Sequence, residues 1–287
     1  MEDVNVFIEL NKFNKVKFYD QKHQYFIKGK QYLSVTGFIH KFVKEFNRDE
    51  QSKKYFEKHK DEEGFLEKFP DVEAVLYSWD YKNWHAVFEG STLHNYGENF
   101  LHNKILPYPT ICERGKIKFS EIESTYKKME SHFHNFYRDF VEGGRLVPIK
   151  SEVVMGSELL GLCGMCDHIF WSTKKQCLVI FDWKTNTKLN MKSEYGEKMM
   201  HCLSHLDKCE FNTYSIQIET YKKILETETN LRFPCSNFIV WFNEENDNYK
   251  LIECRDMRKE VDDMFRFKEA HPDIFSVGAK KKETVGI

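Results

Sequence analysis

In Phe181-Asp182-Trp183-Lys184-Thr185, an aspartate and a lysine stand two residues apart at the end of an apolar run, Leu178-Val179-Ile180-Phe181. A run apolar at every position suits a strand buried on both faces. Residues i and i+2 of a strand share a face, so Asp182 and Lys184 point to the same side. Burying both is costly unless they pair or meet a metal. Fifteen residues earlier, Asp167 interrupts a second apolar run, Cys163 to Phe170. A hairpin turning near 173–176 would set Asp167 beside Asp182. Adjacent carboxylates repel unless one is protonated or a cation lies between them. Mg²⁺ or Mn²⁺, which favour oxygen ligands, would resolve that conflict. Lys184 would then hold a water or stabilise charge on a phosphate. Metal, water and lysine together suit phosphodiester hydrolysis. Glu152, on the preceding strand, is a further acceptor. For Asp-x-Lys alone an internal salt bridge is the plainer account; Asp167 and the buried strand shift the balance toward chemistry.

The elements that must carry these residues follow from pattern. Two aromatic-rich runs flank Lys28-Gly29-Lys30 between His23 and Leu33, as in a hairpin. Ser34 or Thr36 is placed to cap a helix carrying Phe38, Ile39, Phe42 and Phe46. Residues 47–83 read as short helices. A clearer helix runs from about Trp84 to Leu101, with Val87, Ser91, His94, Glu98 and Leu101 on one face. Ser120-x-x-Glu123 reads as a capping box opening a helix with Ile122, Tyr126, Met129, Phe133 and Phe136 on one stripe, stopped by Gly143-Gly144. Strands are expected at 153–155, 159–171 and 177–183, paired antiparallel through short turns. A helix at 213–226, strands at 237–242 and 249–254, and a helix at 258–270 complete the pattern. The lysines Lys280, Lys281 and Lys282 read as a frayed end. The class is α/β: a small mixed sheet from the second half, with helices from the first half covering or extending it. The expected division is 1–147, carrying His94, and 148–287, carrying the carboxylates, integrated as one unit.

Composition bounds the alternatives. With 287 residues, 41% hydrophobic and 31% charged, the chain can bury a core and is not a disordered or low-complexity protein. A net charge of −2 excludes a uniformly basic coat but allows a local basic groove. Neither a secretory leader nor an apolar run long enough to span a membrane is visible. A reducing, intracellular compartment is therefore expected, with the eight cysteines mostly free thiols.

The ordered set Gly161-Leu162-Cys163-Gly164-Met165-Cys166-Asp167, Ile180-Phe181-Asp182-Trp183-Lys184-Thr185, then Gln217 and Tyr221, resembles the RecB-like branch of the PD-(D/E)xK nuclease superfamily. Gly90-Ser91-Thr92-Leu93-His94 fits the Gly-x-x-x-His setting of its upstream histidine. Ser34-Val35-Thr36 and Trp84 extend the resemblance to the mitochondrial genome maintenance exonucleases and their viral and phage relatives. It covers roughly residues 24–225. The resemblance implies a restriction-endonuclease-like mixed β-sheet core flanked by helices, with an N-terminal helical elaboration. It implies that Asp167, Asp182, the Trp183 carbonyl and His94 surround Mg²⁺ or Mn²⁺, and that Lys184 serves the attacking water. Gln217 and Tyr221 would support the site from one helix face, Glu98 and Glu152 are candidate supporting groups, and Ser34 and Thr36 are candidate DNA contacts. The expected activity is a metal-dependent exonuclease on single-stranded DNA ends, in a viral or phage setting. A structure-specific or restriction-like endonuclease on the same core, or a nucleic-acid-binding protein that does not cut, are the alternatives.

Other features read as plain structure. Cys163-x-x-Cys166 has no second pair, and strand alternation sends the two thiols to opposite faces. Cys235 and Cys254 are too far apart for an iron–sulfur pattern. His201, His205 and Cys209 could present a metal-binding helix face but read more simply as a loop. Trp79, Tyr81, Lys82 and Trp84 could stack bases, although core packing accounts for at least half of them.

Overall fold

The computed structural model describes residues 2–276; Lys280, Lys281 and Lys282 lie outside them. The chain opens with α1 (Glu2–Leu10), then β1 (Val16–Tyr19), β2 (Gln24–Ile27) and β3 (Lys30–Ser34). Four helices follow: α2 (Val35–His40), α3 (Arg48–His59), α4 (Phe65–Lys68) and the thirty-residue α5 (Val72–Leu101). A small ribbon, β4 (Ile111–Cys112) and β5 (Ile117–Lys118), leads into α6 (Phe119–Phe136), which is prolonged by a π-helical turn, Tyr137–Glu142. Then come β6 (Leu146–Ser157), β7 (Leu162–Ser172), β8 (Cys177–Lys184), α7 (Glu210–Glu228), β9 (Phe238–Trp241), β10 (Lys250–Glu253) and α8 (Arg258–Ala270).

The expected mixed α/β class holds: helices flank one eight-stranded mixed sheet in the order β1-β2-β3-β7-β8-β9-β10, with β6 also on β7. The sheet is not confined to the second half, because β1–β3 extend it. Their inward positions Val16, Tyr25 and Ile27 are buried, so this hairpin must dock on an apolar surface. Strand β6 occupies one edge of β7 from Leu162 to Ser172. The other edge is shared: β3 runs parallel to it at Leu162 and Cys163, and β8 runs antiparallel to it from His168 to Ser172. The sheet forks between those two contacts, and Asp167 lies in the fork.

Strand β8 shows why its sequence is apolar throughout. Leu178 and Ile180 enter a core shared with α2, α7 and α8, while Val179, Phe181 and Trp183 enter a second core built by α5 and α6. Burying an aliphatic or aromatic side chain contributes about 1.5–3 kcal/mol, so both faces hold the strand in register.

Several boundaries differ from the sequence expectation. Helix α5 begins at Val72, where Asp71 accepts from the Ala74 amide at 2.7 Å; mixed aromatic and charged residues obscured the periodicity before Trp84. Helix α6 begins at Phe119 and not at a Ser120 cap: Glu121 accepts from the Lys118 amide at 2.7 Å, and Phe119 stacks on Tyr108. Helix α2 stops at His40, capped by Ser34, whose hydroxyl accepts from the Gly37 amide at 3.0 Å. Strand β6 is twelve residues long, with a bulge between Pro148 and Lys150. The expectation of free thiols fails at two of the cysteines, because Cys177 and Cys235 form a disulfide. Cys177 starts β8 and Cys235 precedes β9, its parallel neighbour, so the pairing of the two strands brings the sulfurs together.

Candidate active site

Asp182 is 1% exposed, and Lys184 forms an ion pair with its Oδ2. Among the described residues its other oxygen, Oδ1, has no hydrogen-bond partner. Burial pushes Asp182 up to about 6, against the pull of Lys184, and Asp167 adds to the rise. For Lys184, burial acts downward, but Asp182 and Asp167 outweigh it and hold the ammonium above its ordinary range. Lys184 Nζ also donates to the Trp183 carbonyl at 3.2 Å.

The β7–β8 register sets Asp167 opposite Asp182, continuing the pairing of His168 with Phe181. Asp167 Oδ2 accepts from the Trp183 amide at 2.8 Å, so the N–H and the C=O of Trp183 both engage residues of the site. From β6, Glu152 lies between the pairs Ser151–His168 and Val153–Cys166. Its φ of 47° is left-handed, which costs a side-chain-bearing residue roughly 1–2 kcal/mol. Strain of this kind in mid-strand must be held by its surroundings. Glu152 Oε1 is buried without a hydrogen bond.

Helix α5 supplies His94. Its Nε2 lies 3.2 Å from the Trp183 carbonyl, and its Nδ1 lies 3.7 Å from both Glu152 Oε1 and Asp167 Oδ2. Burial acts to lower the imidazole, but Asp167 and Glu152 outweigh it and raise its pKa. One ligand atom each from His94, Glu152 and Asp167 lies within 4.8 Å of the others, a set that could hold a metal ion. Two glycines let α5 come this close. A Cβ on Gly90 would stand 2.8 Å from Thr185 Oγ1, and one on Gly97 would stand 2.6 Å from Trp183 Cη2 and closer still to Cζ3.

His94, Glu152 and Lys184 open onto a cleft of about 560 Å³, whose lining does not include Asp167 or Asp182. Val87, Ser91, His94 and Glu98 line it, as their common face predicts, together with Glu152, Trp183 and Lys184; Leu101 turns into the core. Tyr214 of α7 lines it as well, with the Lys184 ammonium 4.9 Å from its ring centre. Sequence reasoning missed Tyr214, although it lies three residues before Gln217 and so shares its helix face. Gln217 donates to Tyr221 at 2.9 Å, and Tyr221 is buried; the two engage each other and do not line the cleft. Ser34 and Thr36 also bond each other, at 3.2 Å, and lie outside the lining. His168, another residue not foreseen, is buried against Trp183 with ring centres 3.7 Å apart and bonds Ser151 at 2.9 Å.

The histidine–cysteine group does not assemble. His201 stacks on Phe267, His205 faces Glu260, and Cys209 is buried at the start of α7. Trp79 packs near Phe46 and Tyr55, and Tyr81 donates to Glu121. Among the described residues, no helix is long and apolar enough to cross a membrane.

No family model and no curated protein matches the chain. Among solved structures, a "Putative exonuclease" from Eubacterium rectale is similar over 66% of this chain at 16% identity, with a TM-score of 0.37; the match spans 66% of that protein's length.

Proposed function

We propose that this chain is a divalent-metal-dependent deoxyribonuclease of the PD-(D/E)xK type, hydrolysing phosphodiester bonds from single-stranded DNA ends. The observation that carries the reading is the buried Asp182 carboxylate, with Oδ2 on Lys184 and Oδ1 without a partner, opposite Asp167. A buried carboxylate oxygen left without a partner is expensive, and a cation bound there would remove the cost. Asp167, Asp182, the Trp183 carbonyl and His94 would hold the ion, with Glu152 beside them. Carboxylate and carbonyl oxygens are hard donors, which fits Mg²⁺ or Mn²⁺. When bound, such an ion polarises a phosphoryl oxygen and makes a water more acidic.

The chain's own groups supply the rest. The Lys184 ammonium, held in place by Asp182, orients the attacking water and stabilises charge developing on the phosphate. His94 is fixed by the Trp183 carbonyl and meets the cation or the scissile phosphate. Tyr214 offers a phenol to the strand in the cleft, and Glu98 acts at its margin. Gln217 and Tyr221 act from behind, bracing α7. The family resemblance supports single strands and free ends.

Digestion of 5′- and 3′-labelled single- and double-stranded DNA with Mg²⁺ or Mn²⁺ tests the proposal, with Lys184→Ala as control. Loss of cleavage with binding retained is expected for Lys184→Ala, and loss of the metal response for Asp182→Asn. Internal cuts in circular single-stranded DNA would replace the exonuclease by an endonuclease. Intact DNA and RNA under every condition would leave a binding protein only.

A further inference from the structure

The outer face of the β1–β2 hairpin combines exposed lysines with an exposed tyrosine and a half-buried phenylalanine. Strand alternation sends Val16, Tyr25 and Ile27 inward, while Lys17, Tyr19 and Phe26 face outward. Lys17 stands directly across from Phe26, and Tyr19 from Gln24. Tyr19 is 54% exposed and meets Phe26 edge to face at 5.3 Å. With Lys15, Lys22 and Lys28 these residues line an open groove of about 950 Å³, in which four lysines face one acid, Asp20.

A charged edge strand alone could be a guard against edge-to-edge aggregation. That role explains the lysines but gives no reason to place a tyrosine and a phenylalanine on the same outer face. Lys17 and Lys22 have no ion pair among the described residues. Lys15 pairs with Glu228, and Lys28 with Glu158 at a solvent-exposed position; exposed pairs of this kind are weak enough to exchange for a phosphate. Cations that can track a backbone, interleaved with rings that can stack bases, form the arrangement that holds single-stranded nucleic acid without reading its sequence. Residues 277–287 are a poor occupant, since their charge includes Lys280, Lys281 and Lys282 against a single Glu283.

We infer that the Lys15–Lys28 face is a second binding site for single-stranded nucleic acid, separate from the cleft, which holds part of the strand while the cleft acts on its end. The assignment deepens the nuclease reading and rests on it for the substrate, but its test does not need cleavage. Binding of a fluorescein-labelled oligothymidylate is followed by anisotropy in EDTA. Tyr19→Ala/Phe26→Ala should weaken binding about tenfold or more. Lys17→Glu/Lys22→Glu should weaken it and reduce the salt slope by about 1.4, at about 0.7 per phosphate contact. Wild-type affinity in both variants would overturn the inference. So would an equal loss of binding to phosphatidylserine vesicles, which would make the face a lipid surface. If a variant fails to fold by circular dichroism, photo-crosslinking of a 5-iodouracil strand to the unaltered chain decides. Adducts on Tyr19 or Phe26 support the site, and adducts only elsewhere overturn it. Failure of the nuclease reading has a different signature: no cleavage with Mg²⁺ or Mn²⁺ while strand binding through this face persists.

Discussion

Gly97→Ala separates the geometry of the site from the stability of the fold. A methyl group there would stand 2.6 Å from Trp183 Cη2 and 3.1 Å from Phe133 Cε2, with Trp183 Cζ3 nearer still. Overpacking of this kind costs about 1–3 kcal/mol. Alanine in place of glycine inside a helix returns roughly 0.8–1 kcal/mol. The net loss is then about 0–2 kcal/mol, a few degrees of melting temperature at most a little more. The site suffers differently, because the displaced residue is Trp183. Its carbonyl meets His94 at 3.2 Å and its amide meets Asp167 at 2.8 Å. Misplacement by about 1 Å costs on the order of a hundredfold in rate. Thermal melts alongside steady-state cleavage of labelled single-stranded DNA measure both quantities. Adding Trp183→Phe makes room, and the buried Trp183 Nε1 has no partner to lose. The double variant should therefore recover part of the activity, with a coupling of about 1–2 kcal/mol. A Gly97→Ala chain about 1 kcal/mol more stable than wild type, with undiminished kcat/KM, would refute the claim that this close approach sets the site.

Glu152→Gly should stabilise the metal-free chain by about 1 kcal/mol, by relieving the left-handed residue, while shrinking the rise in melting temperature on adding Mn²⁺; a lower apo stability with an unchanged metal shift would count against both roles. Burial holds His168 well below its ordinary range. Its stabilising contribution is complete above the unfolded value of about 6.5 and falls by up to about 1.4 kcal/mol per pH unit as pH drops from there toward the folded value. His168→Phe should flatten the decline in unfolding free energy between about pH 7 and 5, and equal slopes would show that the buried imidazole is not the cause. The Cys177–Cys235 disulfide closes a separation of 58 residues; on the chain-entropy account its reduction should cost up to about 4 kcal/mol, read as a lower denaturant midpoint in reducing agent, and an unchanged midpoint would argue that the bond is absent.

The carboxylates and Lys184 were legible because period-2 alternation and one short turn are local properties. Once residues 173–176 form the turn, Asp167 must fall opposite Asp182. His94 was legible as a face of α5, and that face does line the cleft. Tertiary packing decided the rest. Nothing local marks Glu152 as left-handed, since only its neighbours in the fork hold it there. Nothing in Gln217 or Tyr221 alone shows that they bond each other, leaving Tyr214 to face the cleft. The missed start of α5 and the displaced cap of α6 reflect aromatic contacts, Tyr55 with Trp79 and Phe119 with Tyr108, that connect separate segments. The disulfide required knowing that β8 and β9 are parallel neighbours, which strand patterns do not reveal.

The fork on β7 also constrains how the chain is made. Leu33 pairs with Leu162, so the first hairpin leaves the ribosome 129 residues before its partner strand. At about 5–20 residues per second that is a wait of roughly 6–26 s. During it, the apolar inner side of β1–β2 has no sheet to join and is a target for chaperones or for another nascent chain. The cleft needs β6, β7, β8 and then Tyr214 from α7, so it is assembled only after residue 214 has been synthesised.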